Sequence, residues 1–274
     1  MTKCCYIHFT PQTRTKTEDT NVQLNLEIDG FPIKRCTETK FLGVIIDDKL
    51  NWDAHIKYLK RKLSYAVATL SRIREGIPNH LHRDLYYTLF ESHLSYCISA
   101  WGSAAQFRIK TLWVTQKHCI RVLFGDKAAY LEKKSTCARA RPHGLQNLGA
   151  EFYQPESTKP LFKDNQILSI HNLYSYHCFT QTLKILKFRQ PICLFEKYNL
   201  SDRKPTLLIN SLPSNGFIER STSLWNSIAP SLKLTDFSAK IGPLKNQLKK
   251  SLLLNQHREN PNDWTMDDYN LSKL

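Results

Sequence analysis

The chain predicts an α+β fold that is predominantly α-helical: a small N-terminal antiparallel β segment, then a basic helical bundle, then a helical C-terminal region. Three observations carry this. Apolar residues alternate in the first fifty positions, they recur at three and four from Asp53 onward, and helical spacing returns near Ile170. A chain of 274 residues with 41% hydrophobic and 11% aromatic residues, 12 Pro and 9 Gly has the make-up of a folded protein, which excludes wholesale disorder. At this length it buries ~70–75% of its unfolded surface.

The elements follow in order. Tyr6 to Phe9 is a short apolar run, and polar, Thr-rich Pro11 to Asn21 is a loop. Val22, Leu24, Leu26 and Ile28 alternate with polar residues and share one strand face, and Asp29-Gly30 supplies the positive-φ pair of a tight hairpin. Pro32 restricts the returning strand to an edge or a bulge. Phe41 to Ile46 is a continuous apolar run that predicts a strand buried on both faces, closed by Asp47-Asp48.

From Asp53, an expected N-cap, the apolar positions Ile56, Leu59, Leu63, Ala66, Val67 and Leu70 form one helical stripe. A second helix is expected from His80 to Tyr96, burying Leu81, Leu85, Leu89 and Phe90, and a third from Phe107 to Phe124 with Leu112, Cys119, Ile120 and Leu123 inward. Gly and Pro then punctuate 125–164, which predicts a long loop or linker. Ile170, Leu173, Tyr174 and His177 open a helix running to Phe188, and a strand is expected near Gly216 to Leu224. A last helix from Asp236 carries Ile241, Leu244, Leu248 and Leu252, with Gly242-Pro243 expected to kink it. The chain thus divides into 1–52, 53–124, 125–164, 165–254 and a polar tail, 255–274.

Charge gives the first functional direction. The formal net charge is +15, which favours a polyanionic partner. Between Ala54 and Arg141 lie 16 Lys or Arg and 5 Asp or Glu, so +11 of the excess sits in that third of the chain. A solvated helix face normally mixes signs, whereas phosphate contact needs one sign. Lys57, Arg61, Arg72, Arg74, Arg108, Lys110, Lys117 and Arg121 are the candidate nucleic-acid contacts. A membrane surface is disfavoured because the aromatic residues do not gather on one helix face, and no 18-residue apolar run or secretory leader pattern is present. An intracellular protein is therefore expected, with nuclear or cytoplasmic residence left open.

Catalytic patterns are sparse. Asp47-Asp48 resembles a two-metal carboxylate pair, but strand neighbours point to opposite faces and aspartate commonly closes a strand, so a turn or capping role is the expectation. His80, His82 and His93 lack a Cys or carboxylate companion at ligand spacing and are expected to be ordinary helix histidines. There is no GxSxG elbow, GxxxxGK[ST] loop or GxGxxG fingerprint. The eight cysteines include no CxxC pair, which predicts reduced thiols, mostly in the core.

Phe41-Leu42-Gly43-Val44, then Asp47, Leu50, Trp52, His55 and Ile56, then Leu85-Tyr86, His93 to Cys97 and Ala100-Trp101-Gly102, form an ordered series. Together with Pro160-Leu161-Phe162, Ile167-Leu168 and Ser223-Leu224-Trp225-Asn226, the series resembles the part of non-LTR (LINE-type, jockey-like) retrotransposon reverse transcriptases that follows the active-site strands. The resemblance spans about Tyr6 to Leu253, and its specificity lies in order and spacing rather than in any one motif.

The resemblance implies that 1–52 holds remnant palm strands with Phe41, Leu42, Gly43 and Val44 as a primer-grip-like strand, and that 53–124 is a thumb gripping the template-primer backbone. It also implies that the family's Phe/Tyr-x-Asp-Asp turn, which binds two Mg²⁺ ions for RNA-directed DNA polymerisation, lies upstream of Tyr6. The family lysine of a Lys-Thr motif would fall on Met1 and has no counterpart, and no Cys/His zinc knuckle follows the last helix. The expectation is a chain that contacts RNA/DNA template-primer but is not an enzyme on its own and uses no cofactor. The alternatives are a protein-interaction module whose N-terminal sheet edge pairs with another chain, or a relic without function.

Overall fold

A computed structural model describes residues 4–9, 24–125, 157–200, 207–209, 217–232 and 241–256. Most of the expected linker, Val22, Asp236 and the tail beyond 256 lie outside the described residues. Within them the protein is a predominantly α-helical α+β fold.

The N-terminal strands are short. Strand β1 (Cys5–Tyr6) pairs in parallel with β4 (Lys34–Arg35), while β2 (Glu27–Ile28) and β3 (Phe31–Pro32) form an antiparallel hairpin. Asp29 (φ 51°) and Gly30 (φ 76°) build its turn, as the Asp-Gly pair predicts. The apolar stripe Leu24, Leu26 and Ile28 nevertheless covers nothing, since all three stay exposed along with Phe31.

The expected buried strand at Phe41 to Ile46 is instead a second hairpin, β5 (Glu38–Phe41) against β6 (Val44–Asp47). Leu42 (φ 45°) and Gly43 (φ 84°) reverse the chain inside the apolar run. Phe41 and Leu42 are 60% and 74% exposed at its tip, and of that run only Val44 is buried. The Asp47 carboxylate accepts 2.9 Å hydrogen bonds from the backbone N–H groups of Asn51 and Trp52, the turn-forming role expected for it.

Helix α1 (Asp53–Ile73) buries Ile56, Leu59, Leu63, Val67 and Leu70, each worth about 1.5–3 kcal/mol when withdrawn from water. Its N-cap is Trp52 (φ 66°) rather than Asp53, which is the first helical residue. Asp47 already satisfies the incoming N–H groups, leaving Asp53 free to pair elsewhere.

The expected helix from His80 to Tyr96 is one continuous helical run whose hydrogen bonding changes along it, from a 3₁₀ turn (Asn79–Leu81) through α2 (His82–Leu85) and a π-helical turn (Tyr86–Glu91) to α3 (Ser92–Ser95). The wider π turn sets the fully buried stripe four residues apart, at Tyr86, Phe90, Leu94 and Ile98. Leu81 is exposed and Leu85 and Leu89 are only half-buried. Cys97 (φ 51°) turns the chain into α4 (Ile98–Trp101). Helix α5 (Gln106–Phe124) agrees with the predicted third helix and packs along α1.

After the undescribed linker, α6 (Lys159–Asp164) opens with Pro160 in its first turn, so the predicted loop ends earlier than 164. Helix α7 (Ile170–Phe188) is capped by Ser169, whose hydroxyl accepts from the Asn172 N–H. Short α8 (Ile192–Phe195) leads to an antiparallel pair, β7 (Tyr198–Leu200) and β8 (Leu207–Ile209). The strand expected at 216–224 is helix α9 (Phe217–Ile228), where Ser221, Thr222 and Trp225 are buried at helical spacing. Helix α10 (Ile241–Gln256) is described from Ile241, which places Pro243 in its first described turn, where a missing backbone N–H is tolerated; the stretch from Asp236 in which a kink was expected lies outside the described residues.

One hydrophobic core runs from Ile56 to Leu252, so the two helical regions distinguished in the sequence are packed together. Trp225 stacks on Phe179 at 4.6 Å and 9°. Buried Gln116 donates to Tyr86 Oη (2.8 Å) and the Leu168 carbonyl (2.9 Å) while accepting from the Ile170 N–H (2.9 Å). Gln256 accepts from the Ser169 N–H (2.9 Å) and from Asn172 Nδ2 (3.1 Å). These two amides hold α5 and α10 to the start of α7.

The cysteines depart from expectation: Cys119 and Cys178 are buried, but Cys4, Cys5, Cys97 and Cys193 are exposed and Cys36 half-buried. Among the described residues no helix is long and apolar enough to cross a membrane.

Candidate nucleic-acid interface

The eight cations nominated by sequence separate into different environments. Lys57, Arg61 and Arg72 project from the outward face of α1 and Lys110 from that of α5, all exposed. Arg72, like its neighbours Lys60, Arg61 and Lys62, has no ion-pair partner among the described residues. Lys57 acts on the Asp53 carboxyl at the start of the helix, and the field of Lys60, Arg61, Lys62 and Arg72 is directed at solvent.

The other nominees are engaged. Arg108 forms a two-pronged pair with Asp53 through Nε and Nη2, and its guanidinium holds the Asp53 carboxyl below its ordinary range. Arg74 donates to the Gly125 carbonyl at 2.7 Å, tying the end of α1 to the end of α5. Lys117 is 2% exposed, with its ammonium 5.3 Å from the Trp113 ring centre, which corrects its assignment as a phosphate contact. α5 is packed on several sides, so the stripe holding Trp113 and Gln116 takes Lys117 inward with it. Arg121 is half-buried.

Between α1 and α5 lies a shallow groove of about 340 Å³ lined by Ser64, Ala68, Ser71, Thr115 and His118 among others. It continues, through Ser64, into a surface formed by Lys57, Lys60, Arg61 and Tyr65. Small side chains let a polyanion backbone come close to the helix, and Tyr65, 75% exposed, offers a ring of the kind on which bases or sugars stack. Sequence reasoning missed Tyr65, although its position four residues after Arg61 placed it on the same face.

Phe41, Leu42, Gly43 and Val44, the strand the resemblance implied to be primer-grip-like, form the reversing end of the β5–β6 hairpin. Tyr96 Oη donates to the Leu42 carbonyl at 2.7 Å, and the Tyr96 ring lies 3.5 Å from where a Gly43 Cβ would be. His55 attaches the β5–β6 hairpin to α1: its Nδ1 accepts from the Ile45 N–H at 3.3 Å, and its ring is 5.7 Å from Trp101. Burial lowers the His55 pKa to about 4, so the ring is neutral at physiological pH with its proton on Nε2. Lys40 on β5 then reaches Tyr58 on α1, donating to its hydroxyl at 3.3 Å.

The histidines nominated and set aside as metal ligands do not converge. His82 is buried with Nε2 3.3 and 3.2 Å from the Arg74 and Ile77 carbonyls, while His80 and His93 are exposed. Among the described residues no group of three or more His, Cys, Asp or Glu is gathered for a metal.

Residues carrying the family resemblance prove to be builders of the fold. Tyr86 and Trp101 are fully buried, as is Trp225, and Asn226 bonds both the N–H and the carbonyl of Leu207 at 2.8 and 3.0 Å. Gly102 passes so close to Tyr174 that a Cβ would stand 2.5 Å from its ring. Comparisons with protein-family models, with curated proteins and with solved structures each return no match.

Proposed function

We propose that this chain is the post-active-site portion of a non-LTR retrotransposon reverse transcriptase, a nucleic-acid-binding thumb joined to a primer-grip-like hairpin, that grips RNA/DNA template-primer through the phosphate backbone. The observation that carries the proposal is the outward face of α1, where Lys57, Lys60, Arg61, Lys62 and Arg72 meet no acid on the helix except Asp53, which Arg108 occupies. Such contacts position a duplex without reading its sequence. Residues 1–274 alone are proposed not to polymerise, since in the acidic pair that closes β6 the Asp47 carboxylate is committed to the Asn51 and Trp52 N–H groups.

Binding to an RNA/DNA hybrid duplex across a salt series tests the proposal. Each phosphate contact contributes about 0.9 to the slope of log K against log salt. Changing Lys57, Arg61 and Arg72 together to Glu is expected to reduce that slope by roughly three units, with circular dichroism showing both proteins folded. Equal slopes would overturn the proposal, and Mg²⁺-dependent primer extension by the purified chain would overturn its non-catalytic half.

One observation favours a second reading, a protein-interaction role for the N-terminal strands. Ile28 and Phe31 on β2 and β3 are 45% and 58% exposed, with Leu24 and Leu26 beside them. Concentration-dependent oligomers abolished by Leu26→Pro would support pairing through this edge; a monomer at all concentrations would exclude it.

A further inference from the structure

The clearest convergence of charge outside the residues nominated by sequence joins two elements. Lys40, on β5, and Lys62, on α1, both stand over the Tyr58 ring, with their ammonium nitrogens 4.9 and 5.2 Å from its centre. Lys40 donates to the Tyr58 hydroxyl at 3.3 Å. Neither lysine has an ion-pair partner among the described residues, Glu38 on the same strand included.

Two ammonium groups held at one phenol repel each other, and cation–π attraction at an exposed ring offsets about 0.5–1 kcal/mol for each. A phenol oxygen that accepts from lysine keeps its own O–H available as a third donor. The two lysines also lower the Tyr58 pKa from its ordinary value, the hydrogen bond from Lys40 first. The arrangement gathers two positive charges and one hydroxyl at a single ring, a donor set that suits the oxygens of one tetrahedral phosphate.

We infer that Lys40, Tyr58 and Lys62 form a clamp for one phosphate group of a bound nucleic-acid strand, held at the junction of the β5–β6 hairpin and α1. The inference rests on the nucleic-acid reading above and sharpens it: a phosphate here is gripped by strand and helix at once, beside the exposed Phe41-Leu42 tip, so it fixes the strand relative to the hairpin rather than merely attracting it.

The test is a double-mutant cycle on the full chain with a fluorescent 12-nucleotide DNA strand at fixed ionic strength, using Lys40→Gln, Lys62→Gln, the double variant and Tyr58→Phe. Each lysine change is expected to weaken binding by about three- to tenfold, and the double variant by clearly less than the product of the two, because both lysines hold the same phosphate. Tyr58→Phe keeps the charge and the ring but removes the O–H, and is expected to weaken binding as well. Running the series with a 5′-phosphorylated and a 5′-hydroxyl strand distinguishes a terminal phosphate from an internal one. Wild-type binding with independent lysine effects and an unaffected Tyr58→Phe variant would overturn the clamp while leaving the broader reading intact. No wild-type binding to either strand would also overturn the clamp, and a hybrid duplex that shows no salt-dependent binding in the series above would overturn the broader reading.

Discussion

The β segment at 24–47 and the helical body from α1 to α10 are built on opposite terms. In the body, apolar side chains from every long helix meet in one core, and the buried amides at its centre, Gln116 and Gln256, find partners. In the β segment, Leu24, Leu26, Ile28, Phe31, Phe41 and Leu42 remain in water, and short two-stranded pairs supply little burial of their own. The difference shows where each region draws its order. The body is held by its own packing, whereas the β5–β6 hairpin is held from outside, by His55 and Tyr58 of α1 and by Tyr96.

The largest effect is expected in the body. Trp225→Ala removes a fully buried ring stacked on Phe179 and should cost about 3–5 kcal/mol in chemical denaturation. Gln116→Ala leaves the Ile170 N–H and Leu168 carbonyl without their partner, and roughly 1–3 kcal/mol per orphaned group is expected from the same measurement. In the β segment, Phe31→Ser should fall within about 0.5 kcal/mol of wild type, since an exposed apolar side chain contributes little to the folded state. A Phe31→Ser protein that melts like Trp225→Ala would erase the contrast.

Acid and base should separate the regions too. His55 has a depressed pKa, so its neutral form contributes stability above about 6.5 that is lost as pH falls through about 4. Protonation there removes the acceptor for the Ile45 N–H. Amide exchange at Ile45 is therefore expected to accelerate below about pH 4 before the body opens, and uniform opening would contradict this. Glu91, in the π-helical turn, behaves in the opposite sense. Burial raises its pKa to about 7, so its protonated form contributes fully below about 4.5 and that contribution is lost as pH rises through about 7. Glu91→Gln should flatten this alkaline-side loss when denaturation midpoints at pH 5 and pH 8 are compared.

Much of the body was legible in the sequence because its signal is local. Ile56 to Leu70 repeats at helical spacing for about four turns, and Ile170 to Phe188 was bounded correctly at both ends. What failed needed longer-range knowledge. Phe41 to Ile46 reads as one apolar strand unless Leu42-Gly43 is recognised as a turn, and the stretch after Gly216 reads as a strand unless Trp225 is known to meet Phe179. The candidate interface divided in the same way. Lys57, Arg61 and Arg72 were found from their place opposite the apolar stripe, but Lys117 shares the buried stripe of Trp113 and Gln116, and only the packing of α5 reveals this. The Lys40 and Tyr58 pair, 18 residues apart, had no signature in any window of sequence.

The amide of Gln256 sets an order on the making of this protein. It accepts from the Ser169 N–H and donates to the Ile167 carbonyl, 87 and 89 residues earlier in the chain. A nascent chain emerging from the ribosome therefore carries the Ser169 N–H and the Ile167 carbonyl without these partners until α10 arrives, and synthesis halted before Gln256 is expected to yield a body still sensitive to protease, made resistant only when α10 is released.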